Sequence, residues 1–89
     1  MVERDMTIVN KLGLHARAAA KLVNLAGQFS ATLKLQCNGK DANAKSIMSV
    51  MMLAAVKGTT VHVIADGDDS LEAVDAIEAL MSARFGEPE

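Results

Sequence analysis

The chain has 89 residues, a formal charge of −2, 51% hydrophobic residues and two aromatic side chains, Phe29 and Phe85. This length is typical of one small domain, so we expect a single domain over residues 1–89 with a frayed tail at about residues 87–89. The near balance of charges and the absence of Trp and Tyr argue against a nucleic-acid partner. The single cysteine, Cys37, excludes an internal disulfide framework and favours a reducing, cytoplasmic location.

The N-terminus lacks the pattern of an export signal. Residues 1–5 are charged where a signal peptide becomes apolar, and no apolar run approaches the roughly 20 residues that span a bilayer. We therefore expect a soluble protein without a membrane partner.

The first part of the chain predicts a strand followed by a helix. Residues 6–9 form a β-branched run that ends in a glycine-containing loop, which is typical of a strand. Apolar residues then recur with the helical spacing i, i+3, i+4, i+7 from Ala19 to Ala26, and Gly27 marks the end of this amphipathic helix. Its predicted outer face carries Arg17, Lys21, Asn24 and Gln28.

The middle of the chain predicts a β-hairpin. Residues 31–37 alternate between apolar and polar, which places Cys37 on the inward side of a strand. Asn38-Gly39 favours a two-residue turn because both positions tolerate a positive φ. A third strand should then cover residues 40–43.

The next part predicts a helix and a strand. Ser46 is suited to cap a helix that runs from Ile47 to about Val56. Residues 61–65 alternate as a fourth strand, with His62 on the outward side as an ordinary surface residue.

A final helix completes the predicted order. Asp69 and Glu72 match a capping box, and the apolar stripe that follows consists of Leu71, Val74, Ile77, Leu80 and Met81. The resulting order, βαββαβα, favours an α+β fold in which helices cover one face of a four-stranded antiparallel sheet and solvent covers the other.

The segment Gly13-Leu14-His15-Ala16-Arg17-Ala18 places a histidine at the start of a helix. The first four N–H groups of a helix lack partners, and the macrodipole adds about half a positive charge there, which makes an anion site. This field disfavours the imidazolium, so we expect a neutral ring whose nitrogen lone pair can attack an electrophile.

A phosphoryl group is the electrophile that fits this arrangement. Its charge could rest on the helix N–H groups and on the guanidinium of Arg17, whose planar fork suits phosphate oxygens. The P–N bond of phosphohistidine is labile, so the group could be handed to another protein. The residues alone leave open the alternative that His15 is only a capping or solvent-exposed histidine.

Residues 10–17, Asn-Lys-Leu-Gly-Leu-His-Ala-Arg, closely resemble the phosphorylation-site motif of the HPr family, the histidine-containing phosphocarriers of the bacterial phosphotransferase system. Residues 45–51, Lys-Ser-Ile-Met-Ser-Val-Met, are similar to that family's regulatory-serine segment. The two blocks have the family's mutual spacing, and the resemblance covers essentially the whole chain. It implies an open-faced β-sandwich with three helices on one side of a four-stranded sheet.

The resemblance also implies a monomeric phosphoryl carrier and not an independent enzyme. His15 would accept a phosphoryl group on Nδ1 from the phosphohistidine of Enzyme I, and ultimately from phosphoenolpyruvate. It would pass the group to a histidine of an Enzyme IIA-type protein. Arg17 would hold the phosphate together with the N–H groups of Ala16, Arg17 and Ala18. No metal and no cofactor are implied.

One departure from the family concerns the residue after the arginine, which is commonly proline and here is Ala18. Because alanine is a good helix former, we expect the helix to survive. Ala18 and the run over residues 48–55 look more like the nitrogen-related branch, NPr, in which the relay regulates other proteins. The alternative to a transport carrier is therefore a regulatory protein that docks on its targets according to its phosphorylation.

The second predicted helix carries more apolar side chains than one sheet can cover. Methionine repacks easily and suits a surface that binds several partners, and the resemblance implies that this helix contacts them. The expected partner surface consists of Ile47, Met48, Met51 and Met52. The alternative for each methionine is a place in the core. Ser46 is either a plain helix cap or, as the resemblance implies for some bacteria, the target of an HPr kinase.

Overall fold

The computed structural model describes all 89 residues. They form β1 (Val2–Thr7), α1 (Ala16–Ala26), β2 (Thr32–Cys37), β3 (Lys40–Asn43), α2 (Ile47–Met52), β4 (Thr60–Asp66) and α3 (Ser70–Ser82), followed by a short turn with left-handed backbone (Arg84–Gly86). The sheet order is β1-β4-β2-β3, and every neighbouring pair is antiparallel. The predicted α+β order and the four-stranded open sheet are confirmed.

Side-chain alternation along the strands divides the sheet into a covered face and an open face. The inward residues of the two central strands are buried, and they include Leu33, Leu35, Val61, Val63 and Ala65. The helices cover this face with buried side chains such as Leu22, Val50, Val74, Ile77 and Met81. Cys37 belongs to the same core, as its alternation predicts, and burial raises the pKa of its thiol. None of the helices is long and apolar enough to cross a membrane.

The hairpin between β2 and β3 forms at the predicted place. Asn38 has a φ of 54° and Gly39 a φ of 74°, the left-handed values that a tight two-residue turn requires. The predicted third strand is confirmed as β3.

The expected bounds of the first strand, residues 6–9, are wrong. β1 spans Val2–Thr7 because its backbone pairs with β4 along its whole length. The charged residues fit this strand because Glu3 and Asp5 lie exposed on the open face. Arg4 instead reaches the covered side, where it forms ion pairs with α3.

Two predicted apolar segments also differ from the structure. α2 ends at Met52, short of the expected end near Val56, because Ala54 adopts a left-handed φ of 52° that a regular helix excludes. Leu71 is 51% exposed and does not belong to the buried stripe of α3. That stripe follows Ser70, Ala73, Val74, Ile77 and Met81.

The predicted capping box at Asp69 does not form. Asp69 occupies the N-cap position of α3, but its side chain makes no capping hydrogen bond. Its carboxylate instead accepts hydrogen bonds from the backbone N–H groups of Ser30 and Ala31, both at 2.8 Å. These bonds lower the pKa of Asp69, and the bond from Ser30 has the largest effect. The side chain therefore ties the start of α3 to the loop between α1 and β2.

Candidate functional site

The loop before α1 is shaped by a glycine that no other residue could replace without strain. Gly13 has a φ of 66°, and a Cβ atom there would lie 2.4 Å from the carbonyl oxygen of Ala55. The neighbouring Leu14 N–H donates a hydrogen bond to the same oxygen at 2.9 Å. The loop is thus pressed against the segment that follows α2, which fixes the place where His15 emerges.

His15 is the N-cap residue of α1, with an extended φ of −75° and ψ of 177°. Its side chain makes no capping hydrogen bond, although its backbone carbonyl accepts from Ala19 N–H at 2.8 Å. The N–H groups of Ala16, Arg17 and Ala18 have no acceptor outside the helix, and helical geometry gives them none within it. The start of α1 therefore keeps three free donors, and the imidazole is not used as a cap.

The side chain of His15 is held by a carboxylate from the other end of the chain. Glu87 Oε2 lies 2.5 Å from His15 Nε2, and Nδ1 has no hydrogen-bond partner. Glu87 Oε1 accepts from Asn10 Nδ2 at 3.1 Å, and the same amide nitrogen donates to Gly13 O at 2.8 Å. The contact with His15 is the largest cause of a lowered pKa for Glu87, and the bond from Asn10 lowers the pKa further. The carboxylate is thus ionised at neutral pH.

Glu87 is the functional candidate that the sequence did not indicate, since we expected residues 87–89 to fray. Phe85 is completely buried, and its carbonyl oxygen accepts a hydrogen bond from Lys21 Nζ at 2.6 Å. Farther along, Lys11 N–H donates to Glu89 O at 3.0 Å. The tail consequently runs alongside the His15 loop.

The turn that directs the tail toward His15 has an uncommon backbone. Arg84, Phe85 and Gly86 have φ values of 58°, 54° and 78°, all in the left-handed region. Such a conformation costs roughly 1–2 kcal/mol at each residue that is not glycine. Burial of the Phe85 ring offsets this strain, because an aromatic side chain contributes a large apolar area to a core.

Arg17 is the cation of this site. It lies exposed in the first turn of α1 and lines the same open groove as His15 and Glu87. It forms no ion pair and no side-chain hydrogen bond. Its guanidinium is therefore available to an incoming anion.

The exposed apolar patch of α2, defined here as Ile47, Met48, Met51 and Met52, lies on the side of the helix away from the core. Met48 and Met52 are 68% and 67% exposed, whereas Val50 of the same helix is fully buried. The four expected partner residues are thus all on the surface. Ser46 caps the helix, because its Oγ accepts a hydrogen bond from Ser49 N–H at 3.5 Å.

The second histidine has a different environment. His62 lies on the open face of the sheet, where Nδ1 is 2.6 Å from Asp5 and Nε2 is 2.8 Å from Glu3. Both hydrogen bonds raise the pKa of His62, and the bond to Glu3 has the larger effect. Both ring nitrogens therefore have partners, and the residue is one of the surface, as expected.

Comparison with known proteins identifies the family. Residues 2–83 match the family described as PTS HPr component phosphorylation site. The phosphocarrier protein HPr of Cupriavidus necator is 58% identical over 89 residues, 100% of each chain, and the phosphocarrier protein NPr of Shewanella violacea is 45% identical over 86 residues, 97% of this chain and 94% of that one. A crystal structure of HPr from Thermoanaerobacter tengcongensis matches with a TM-score of 0.95 at 43% identity, and 100% of each chain is covered. The chain therefore belongs to the HPr family, the phosphocarriers of the phosphotransferase system.

Proposed function

We propose that this protein accepts a phosphoryl group on His15 from Enzyme I and passes it to an Enzyme IIA-type protein. The observation that carries the proposal is the environment of the imidazole. The ring lies at the start of α1 with Nε2 held by a carboxylate and Nδ1 without a partner. One ring nitrogen is thus free to act as the nucleophile.

The transfer needs few groups. The lone pair of His15 Nδ1 forms a bond to phosphorus while the bond between phosphorus and the donor's histidine nitrogen breaks. The charge on the phosphoryl oxygens is stabilised by hydrogen bonds from the free N–H groups of Ala16, Arg17 and Ala18 and from the guanidinium of Arg17. These donors are in place before the phosphoryl group arrives, so they stabilise the transition state without reorganisation. In the onward step the acceptor's histidine nitrogen bonds to phosphorus while the bond between phosphorus and His15 Nδ1 breaks, and the same donors stabilise the phosphoryl oxygens.

The apolar patch of α2 is the proposed docking surface for both partners in turn. It contains methionine and isoleucine but no aromatic side chain, and aromatic anchors are what tight interfaces most often use. Short-lived complexes are the consequence, which suits a monomeric carrier that must leave one protein for the next. We place this exchange in the cytoplasm, which the single, free and buried Cys37 supports.

Ser46 is a proposed regulatory site at the edge of that patch. Its side chain is only half-buried and directly precedes the exposed Ile47. Phosphorylation by an HPr kinase would add about −1.5 to −2 charges beside an apolar docking surface. We therefore expect phosphorylated Ser46 to slow transfer from Enzyme I.

A second candidate function is that of a regulator in the nitrogen-related branch. Its support is the similarity to a protein named NPr, together with alanine at position 18. In that case the protein would dock on its targets according to the phosphorylation state of His15. Target proteins that bind the unphosphorylated and phosphorylated forms with different affinity would favour this function over a simple relay.

The test is incubation with Enzyme I and phosphoenolpyruvate, followed by addition of an Enzyme IIA domain. Intact-protein mass spectrometry should show one acid-labile phosphate on the wild-type chain, which then appears on the IIA domain. His15→Ala, with the fold checked by circular dichroism, should show neither step. Label that survives in His15→Ala would refute the proposal.

A further inference from the structure

The contact between the C-terminal tail and the imidazole points to a role for the tail in the reaction. We propose that Glu87 is a positioning residue that orients the His15 ring and keeps a proton on Nε2, so that Nδ1 presents its lone pair to phosphorus. This inference rests on the proposed function of His15 and adds to it the group that selects the reacting nitrogen.

The choice of nitrogen follows from hydrogen-bond chemistry. An ionised carboxylate only accepts hydrogen bonds, so His15 Nε2 at 2.5 Å from Glu87 Oε2 must carry a hydrogen. In a neutral imidazole the other nitrogen then has the lone pair. A carboxylate fixed on one nitrogen of a histidine thus determines that the other one is the nucleophile.

The carboxylate is itself fixed in place. Its Oε1 accepts from Nδ2 of Asn10, a completely buried side chain that also donates to Gly13 O in the His15 loop. Because Asn10 contacts both the loop and the tail, it aligns the histidine and the carboxylate relative to each other. The low pKa of Glu87, caused first by His15 and then by Asn10, keeps the group an acceptor at neutral pH.

The backbone of the tail supports the same interpretation. Arg84 and Phe85 adopt left-handed φ values of 58° and 54°, and the turn is anchored by the buried Phe85 ring and by the bond from Lys21 to the Phe85 carbonyl. Strained backbone of this kind is concentrated where function requires a particular geometry. Here the geometry that it produces is the approach of Glu87 to His15.

The role in the reaction is electrostatic and leaves the bond changes unaltered. As Nδ1 bonds to phosphorus and the donor's nitrogen leaves with its electron pair, the imidazole of His15 gains positive character. The proton stays on Nε2, and the carboxylate of Glu87 stabilises the developing charge. A carboxylate in this position acts as the aspartate of a catalytic triad acts on its histidine. Glu87 itself never contacts phosphorus.

The experiment compares Glu87→Ala with the matched control Glu89→Ala, which removes a carboxylate from the same tail. Nitrogen-15 NMR of the imidazole reports the tautomer, and rapid quench with Enzyme I and phosphoenolpyruvate reports the rate of phosphorylation. Wild type and Glu89→Ala should show hydrogen on Nε2 alone. Glu87→Ala should show a detectable fraction with hydrogen on Nδ1 and an about tenfold slower reaction, the lower end of the loss known for carboxylates that orient metal-bound histidines.

A conservative variant separates positioning from a structural role. Glu87→Asp keeps the carboxylate and should recover part of the lost rate, whereas a tail that merely packs would lose rate in proportion to lost thermal stability. An unchanged tautomer and rate in Glu87→Ala, or an equal loss in Glu89→Ala, would overturn the inference. His15→Ala in the same assay tests the proposed function separately, because label on that variant would refute the carrier role whatever Glu87 does.

Discussion

His15 and His62 are both in contact with carboxylates, yet their surroundings prepare them for different roles. On the open face of the sheet, His62 has a carboxylate on each ring nitrogen, and neither hydrogen-bond partner is a cation. At the start of α1, His15 has a carboxylate on one nitrogen only, and free N–H groups and Arg17 border it.

The difference between the two histidines lies in what the proposed phosphoryl acceptor has and the other histidine lacks. A carboxylate near an imidazole is common to both, so it does not by itself make a nucleophile. The features present only at His15 are an unpartnered nitrogen and a set of donors for the phosphoryl oxygens. An anionic substrate would be repelled by Glu3 and Asp5 at the second site, because like charges disfavour its approach.

The largest effect should come from replacing each histidine in turn. His15→Gln removes the nucleophile, so phosphorylation by Enzyme I should fall below detection by mass spectrometry. His62→Gln leaves the start of α1 untouched, and its initial rate should stay within about twofold of wild type. Comparable losses in both variants would abolish the distinction between the two sites.

A smaller loss should follow removal of the cation near His15. Arg17→Gln withdraws a guanidinium from the phosphoryl oxygens and should slow phosphorylation about 100-fold, the lower end of the loss known for removing one electrostatic donor at a reacting group. The control Lys34→Gln removes a positive charge from the open face, where Lys34 faces Asp41 at 3.6 Å. If Lys34→Gln were equally slow in rapid-quench assays, net charge and not the local donor would be responsible.

The backbone at the His15 loop can be compared with that of the hairpin by replacing one glycine in each, Gly13 and Gly39. Gly13→Ala introduces a Cβ atom 2.4 Å from Ala55 O at a left-handed φ, and should lower the free energy of unfolding by about 2–3 kcal/mol. Gly39 also has a left-handed φ, 74°, but a Cβ atom there would meet nothing within 4 Å. Gly39→Ala should therefore lower the free energy of unfolding by only about 1 kcal/mol. Urea unfolding measures both values. Equal costs would mean that the His15 loop is not pressed against the segment after α2.

The smallest effect concerns pH and His62. Because Glu3 and then Asp5 raise the pKa of His62 above its ordinary value of 6.5, its charged pairing stabilises the fold fully below about pH 6.5. That stabilisation is lost as the pH rises through the higher pKa of the folded state. The gap in unfolding free energy between wild type and His62→Gln should therefore be larger at about pH 5.5 than at about pH 9. A gap that grows with pH would contradict this assignment.

Much of the fold could be predicted because its determinants are local. Apolar alternation located β2 and β4, and Asn38-Gly39 located the hairpin from the conformations that these two residues tolerate. The early end of α2 could not be predicted, since alanine at position 54 gives no sign that it adopts a left-handed φ. The bounds of β1 depend on its pairing with β4, which is far away in sequence.

The part of the candidate site that is local in sequence could be predicted, and the part that depends on distant residues could not. His15, Arg17 and the free N–H groups are contiguous in sequence, so the pattern of a helix start indicated an anion site there, and the resemblance to the HPr family added the phosphoryl role. Glu87 is 72 positions from His15 and reaches it through a left-handed turn that no local rule predicts. Asp69 likewise has the pattern of a cap, but it binds Ser30, which is 39 positions away. Sequence patterns do not indicate contacts between single side chains and residues far away in the chain.

The role proposed for His15 is tested most directly by identifying the nitrogen that carries the phosphoryl group. Uniformly nitrogen-15-labelled protein would be phosphorylated with Enzyme I and phosphoenolpyruvate, and phosphorus–nitrogen coupling would be measured on the imidazole resonances. We expect coupling to Nδ1 of His15 and an unchanged His62. Coupling to Nε2 of His15, or to either nitrogen of His62, would contradict this expectation.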